Sequence, residues 1–124
     1  MSSRLSGRRV LVVEDEVMVS WILEDMLADL GYKVLGPAAW IDQALAIVNA
    51  ETIDLAILDV NLNGKKSFPV ADALIARGVP FVFSTGYNVD GIPDTYKVYP
   101  MMQKPYAAAT LSAALENLIR AKGG

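Results

Sequence analysis

The chain has no cysteine and no histidine in its 124 residues. The first absence excludes a disulfide framework and thiolate metal sites. The second removes imidazole ligands, a histidine general base, and with them the Ser-His-Asp and Cys-His nucleophile systems. Basic residues are in the minority, 11 against 14 acidic ones for a net charge of −3. The basic face that a nucleic-acid module needs is therefore missing. Long apolar runs are missing as well. Residues 10–13 form a run of four that ends in Glu14-Asp15-Glu16, so the arginines at 4, 8 and 9 introduce neither a signal peptide nor a membrane span. A cytoplasmic chain that touches neither nucleic acid nor membrane is expected. Its chemistry is confined to carboxylates, hydroxyls, lysines and a bound cation.

What is present supports one folded domain. The composition is 53% hydrophobic and 20% charged, enough apolar surface to build a core from a chain of this length. Short apolar runs at 10–13, 34–35, 55–58, 79–83 and 98–102 alternate with helical patterns at 17–30, 41–50, 68–76 and 107–121. Most of the runs lack polar alternation, as strands covered on both faces do. The first helix is expected to bury Val19, Ile22, Leu23, Met26, Leu27 and Leu30. Gly31 and Gly78 stand where helix ends want a left-handed residue. The pattern predicts a doubly wound α/β fold of five parallel strands. Where a fourth helix belongs, the chain reads Tyr87-Asn88-Val89-Asp90-Gly91-Ile92-Pro93-Asp94. Glycine and proline oppose a helix there, so that element should be short or distorted.

Ligands of open α/β sheets bind beyond the carboxyl ends of the strands. Here those ends carry Glu14-Asp15, Asp59, Ser84-Thr85 and Lys104-Pro105. Taken singly, these are helix-start acids, a turn aspartate, a serine-threonine turn and a loop lysine. With strand order 2-1-3-4-5 they share one crevice. Three carboxylates that close together raise a pKa or bind a cation, and oxygen ligands suit Mg²⁺. Thr85 can donate to a phosphoryl oxygen, Lys104 supplies a mobile positive charge, and Asp59 at the sheet centre can attack phosphorus to give an acyl phosphate.

The set Val-Leu-Val-Val-Glu14-Asp15, Leu-Ala-Ile-Leu-Asp59-Val-Asn61, Phe-Ser-Thr85-Gly and Lys104-Pro105 resembles the receiver domain of two-component response regulators over essentially the whole chain. The resemblance implies a flavodoxin-like sheet. It implies that Asp59 accepts a phosphoryl group from the phosphohistidine of a sensor kinase or a histidine phosphotransfer protein. It further implies that Mg²⁺ is held by Asp15, Asp59 and the backbone carbonyl of Asn61, with Glu14 acting through a water. Thr85 and Lys104 would bind phosphoryl oxygens, and Lys104-Pro105 would be cis. Residues 1–124 would form one receiver with no output domain, its residues 1–7 a flexible arm, and as a monomer or weak dimer it would signal by contact with an unidentified downstream protein or act as a phosphate sink. Such a receiver performs only its own phosphoryl transfer and slow self-dephosphorylation; it is not a turnover enzyme.

Two departures from the family pattern matter: the fourth helix, which with strand five usually forms the output face, is broken, and the aromatic switch position is changed. The usual Tyr or Phe three residues before the lysine is Met101, so activation is expected to order residues 87–99, with Tyr87 as the aromatic that moves. The stretches 83–87 and 100–105 are similar to the alphaproteobacterial stand-alone receivers of the FAT GUY class, with Ser84 in place of alanine. On the first helix, Trp21 lies opposite the core stripe beside Val17, and with Pro105 it is expected to dock the phosphodonor. Trp40 is expected to pack, and Lys65 and Lys66 to be solvated. Two other readings exist. One is a Mg²⁺-dependent aspartyl-nucleophile phosphatase of the haloacid dehalogenase type, which wants a carboxylate where Asn61 stands and a longer chain. The other is a pseudo-receiver that only binds partners, which should lack Asp59, the acidic pair or Lys104.

Overall fold

The computed structural model describes residues 7–86 and 91–121. Five parallel strands, β1 (Arg9–Val13), β2 (Lys33–Ala38), β3 (Leu55–Asp59), β6 (Phe81–Thr85) and β7 (Met101–Gln103), form one sheet in the order β2-β1-β3-β6-β7. This is the expected 2-1-3-4-5 arrangement, with a small hairpin, β4 (Asn61–Leu62) and β5 (Lys65–Lys66), inserted after β3. The helices are α1 (Val17–Asp29), α2 (Ile41–Ala50), α3 (Phe68–Ala76), α4 (Asp94–Lys97) and α5 (Ala108–Ala121).

Both faces of the sheet are covered, which is why the strands read as unbroken apolar runs. All five residues of β3 are buried. Alternate positions along it serve separate cores: Leu55 and Ile57 pack with Leu23, Leu27, Leu111 and Leu115, while Ala56 and Leu58 pack with Val48, Val70, Leu74 and Phe83. Each fully buried Leu or Phe contributes about 1.5–3 kcal/mol relative to exposure.

The strand ends depart from the sequence pattern in informative ways. β6 reaches Thr85, so Ser84 and Thr85 belong to the strand and are buried, not in a turn beyond it. β7 begins only at Met101, because Pro100 precedes it without an N–H to give. The buried stripe of α1 is Ser20, Leu23 and Leu27; Ile22 points outward and is 52% exposed. Trp40, expected to pack, precedes α2 as an exposed N-cap residue. Of the expected N-terminal arm, residues 1–6 lie outside the described residues, and Gly7 donates its N–H to the Gly31 carbonyl at 2.8 Å.

The fourth helix is a single turn of four residues, as the Gly91 and Pro93 breaks predict. Side chains fix it. The Tyr96 ring stacks on Phe68 of α3 at 4.4 Å and 7°, and its hydroxyl donates to Asp72 at 2.7 Å. Tyr99 stacks on Phe81 at 4.9 Å.

Candidate functional site

A parallel sheet sends the carboxyl ends of its strands to one edge, and there the polar residues meet. Register places Val13 beside Leu58 and Asp59 beside Ser84. Glu14 and Asp15 therefore follow β1 on one flank of Asp59, and Thr85 and Lys104 close the other. The Lys104 backbone N–H donates to the Thr85 carbonyl at 2.7 Å, which ties the loop after β7 to β6. The Lys104-Pro105 bond is cis.

Lys104 gathers the carboxylates. Its Nζ lies 2.9 Å from Glu14 Oε1, 2.9 Å from Asp59 Oδ2 and 3.1 Å from Glu16 Oε1. The contacts to Asp59 and Glu16 are hydrogen bonds, and that to Glu14 is an ion pair. Asp59, which is buried, also accepts the Asn61 N–H on Oδ1 at 3.1 Å. Ser67, fully buried at the start of α3, donates its hydroxyl to the Asp59 carbonyl and its N–H to the Val60 carbonyl. The nucleophile candidate is thus held through both its side chain and its backbone.

Glu14 carries the electrostatic strain of the site. Burial pushes its carboxyl up from 4.5 to about 7, despite the opposing pull of Lys104 and the Glu16 N–H. For Lys104, burial works to lower the pKa, but bonding to Glu14 and Asp59 outweighs it and holds the ammonium above the usual lysine range.

Oxygen atoms of Glu14, Asp15, Glu16 and Asp59 can all lie within 4.8 Å of one another. One ammonium cannot balance four carboxylates, and a set of oxygen donors alone fits a hard divalent cation. Glu14 Oε1 is buried and makes no hydrogen bond beyond its ion pair with Lys104. The residues present therefore fit Mg²⁺, with the Asp15 and Asp59 carboxylates brought together at the ends of the neighbouring strands β1 and β3.

Of the other expected residues, Thr85 is buried at the end of β6. Met101 is 36% exposed on the edge strand, and Val17 and Trp21 are exposed on α1. Pro105 is exposed and lines a groove of about 430 Å³ with Val19, Ile22, Leu23, Lys104 and Tyr106. Tyr87 lies outside the described residues. Sequence reasoning did not assign Glu16 to Lys104, nor Ser67 to Asp59. The hairpin at 61–66 turns on Asn63-Gly64, the dipeptide that marks a two-residue hairpin turn. Lys65 and Lys66 are exposed on that hairpin.

The sequence model of the response regulator receiver domain family matches residues 10–116, nearly the whole described fold. The chain belongs to that family. This receiver is 26% identical over 113 residues to the transcriptional regulatory protein PdtaR of Mycobacterium tuberculosis, a match covering 88% of the receiver and 55% of PdtaR. It spans about half the length of the curated relatives it matches. Among solved structures, SdrG from Sphingomonas melonis Fr1 superposes with a TM-score of 0.82 at 41% identity, covering 96% of the receiver and 99% of SdrG. A BeF3-activated conformation of SdrG, described from Pseudomonas melonis Fr1, superposes with a TM-score of 0.78 at 42% identity and the same coverage. Among the described residues, no helix of the receiver is long and apolar enough to cross a membrane.

Proposed function

We propose that the chain is a phosphoacceptor in a two-component relay, taking a phosphoryl group on Asp59 from the phosphohistidine of a partner protein. The observation that carries this is the set of contacts on one carboxylate: Asp59 is buried at the sheet centre, with Lys104 on one oxygen and the Asn61 N–H on the other. In the transfer, an Asp59 oxygen forms a bond to phosphorus as the phosphorus–nitrogen bond of the donor breaks, and the imidazole leaves with that electron pair. Lys104 then turns its donors from Asp59 to the phosphoryl oxygens, and the Thr85 hydroxyl donates to another. Asp15, Asp59 and the Asn61 carbonyl would hold Mg²⁺, which supplies charge neutralisation to the phosphoryl group when bound. The 124 residues hold no histidine, so the phosphohistidine lies outside them.

The test is incubation with Mg²⁺ and a small phosphodonor, followed by intact-mass measurement. The wild-type chain should gain one phosphoryl group and Asp59→Asn none. No gain, or an equal gain in both chains, would overturn the proposal.

The donor's docking face is read from α1. Val17, Met18, Trp21 and Ile22 are 58%, 66%, 60% and 52% exposed, and Ile22 continues into the groove beside Lys104 and Pro105. An apolar strip that runs to the mouth of the Asp59 pocket suits packing against the helix that carries the phosphohistidine. Trp21→Ala should lower the ratio of partner-driven to small-donor phosphorylation about tenfold, the scale of a lost aromatic anchor. An unchanged ratio in paired kinetic assays would remove Trp21 from the interface.

A further inference from the structure

We infer that Asn63 is a positioning residue for the cation site, fixing the carboxylate of Asp15 from the tip of the β4–β5 hairpin without itself touching the ion. The inference rests on the reading that Asp15 and Asp59 bind Mg²⁺. The Asn63 backbone N–H donates to Asp15 Oδ2 at 2.8 Å, and its side-chain Nδ2 donates to the Ala39 carbonyl at 2.8 Å. One residue thus spans the loop after β1 and the loop after β2. The second anchor is firm in its turn: the Ala39 N–H donates to Gln43 Oε1 at 3.1 Å, and Gln43 belongs to the first turn of α2.

The arrangement has a direct consequence for a ligand carboxylate. Asp15 is only partly buried, and a free aspartate there would rotate. With one oxygen bonded to a fixed amide, its orientation is set and the other oxygen remains to face a cation. Outer partners that orient ligands in this way govern metal affinity although they make no bond to the metal.

The residue type suits the task. Asn63 has φ +49 and Gly64 φ +82, the pair of left-handed conformations that a two-residue hairpin requires and that asparagine tolerates. Glycine at 63 would keep the turn and lose the brace to Ala39. Aspartate would lose the donor and add a negative charge.

The test is Mg²⁺ titration by calorimetry, without phosphodonor, on the full chain and on Asn63→Gly, Asn63→Ala and Asp15→Asn. Asn63→Gly should bind Mg²⁺ about tenfold more weakly, while Asp15→Asn loses binding. Thermal unfolding in chelator checks that the variants fold. In the wild-type chain itself, saturation with Mg²⁺ should shift the Asn63 amide proton resonance and slow its exchange with solvent. This measurement needs no variant. Support requires both the weaker binding of the folded variants and the amide response. If wild type binds and Asp15→Asn does not, but Asn63→Gly binds within twofold of wild type or the Asn63 amide is unmoved, the inference fails and the cation reading stands. If wild type binds no Mg²⁺, the cation reading fails and takes the inference with it.

Discussion

In metal-free buffer, Glu14→Gln is expected to stabilise the chain by on the order of 3 kcal/mol at pH 8 and to change it little at pH 4. The reason is the burial of Glu14, which raises its carboxyl to about 7 in the folded chain from 4.5. A folded-state pKa above the unfolded one means that the native chain holds its proton more tightly. The corresponding stability is fully present below pH 4.5 and is lost as pH rises through about 7. That interval, at roughly 1.4 kcal/mol per pH unit, sets the size of the effect. Lys104 does not intrude: its raised pKa affects stability only above the ordinary lysine value of 10.5. Glutamine keeps an acceptor for the Glu16 N–H, which bonds Glu14 Oε2 at 3.0 Å, and leaves Lys104 with Asp59 and Glu16. Urea unfolding of both chains at pH 4, 6 and 8 measures the effect. Parallel pH profiles for the two chains would show that Glu14 is not the strained group. Saturating Mg²⁺ should shrink the advantage of glutamine, because a cation favours the ionised carboxylate.

Gly36→Ala should destabilise the fold by about 2–4 kcal/mol, a loss of roughly 10 °C or more in melting temperature for a domain of this size. Gly36 has φ +92, and a Cβ built there lies 2.8 Å from Ala38 N and 2.8 Å from Val12 O. Both obstacles are backbone atoms in the paired strands β1 and β2, so neither can swing aside as a side-chain tip would. The register of that pair is irregular between Leu11 and Val13, where the close approach occurs. The damage should extend to the site, because the Ala38 carbonyl just beyond accepts the Glu14 N–H at 2.9 Å. Calorimetric melting gives the stability. A melting temperature within about 2 °C of wild type would mean that β2 relaxes freely around the added methyl.

The parts of the fold set by repeated local signals were legible in the sequence. Five apolar runs and the amphipathic stretches between them pointed to the parallel sheet, its order came with the receiver resemblance, and carboxylates, hydroxyls and a lysine at four strand ends pointed to the members of one crevice. Residues whose role depends on a single distant partner were not legible. Ile22 obeys the helical stripe of α1, yet it lies at the groove beside Lys104 and Pro105, and nothing in its spacing marks that edge. Glu16 reads as one more acid after β1, but Lys104, 88 residues on, folds back onto it. Ser67 reads as a helix start; its value lies in a hydroxyl turned toward the Asp59 backbone. The hairpin at 61–66 was within reach, since Asn-Gly is a strong turn signal. Its strands are two residues each, too short to show any alternation.

The one-turn helix α4 shows how differently backbone and side chains can constrain a segment. A single turn offers few intrahelical hydrogen bonds; Tyr96 N–H donates to the Pro93 carbonyl at 3.0 Å and Tyr99 N–H to the Tyr96 carbonyl at 3.2 Å. Yet two tyrosine rings lie stacked on Phe68 and Phe81 of the body. The element is pinned like a page held at two points: its backbone is cheap to reshape, while its place is set by two aromatic fasteners. Sequence drift between those tyrosines should cost little, whereas the tyrosines and their phenylalanine partners must change together or not at all.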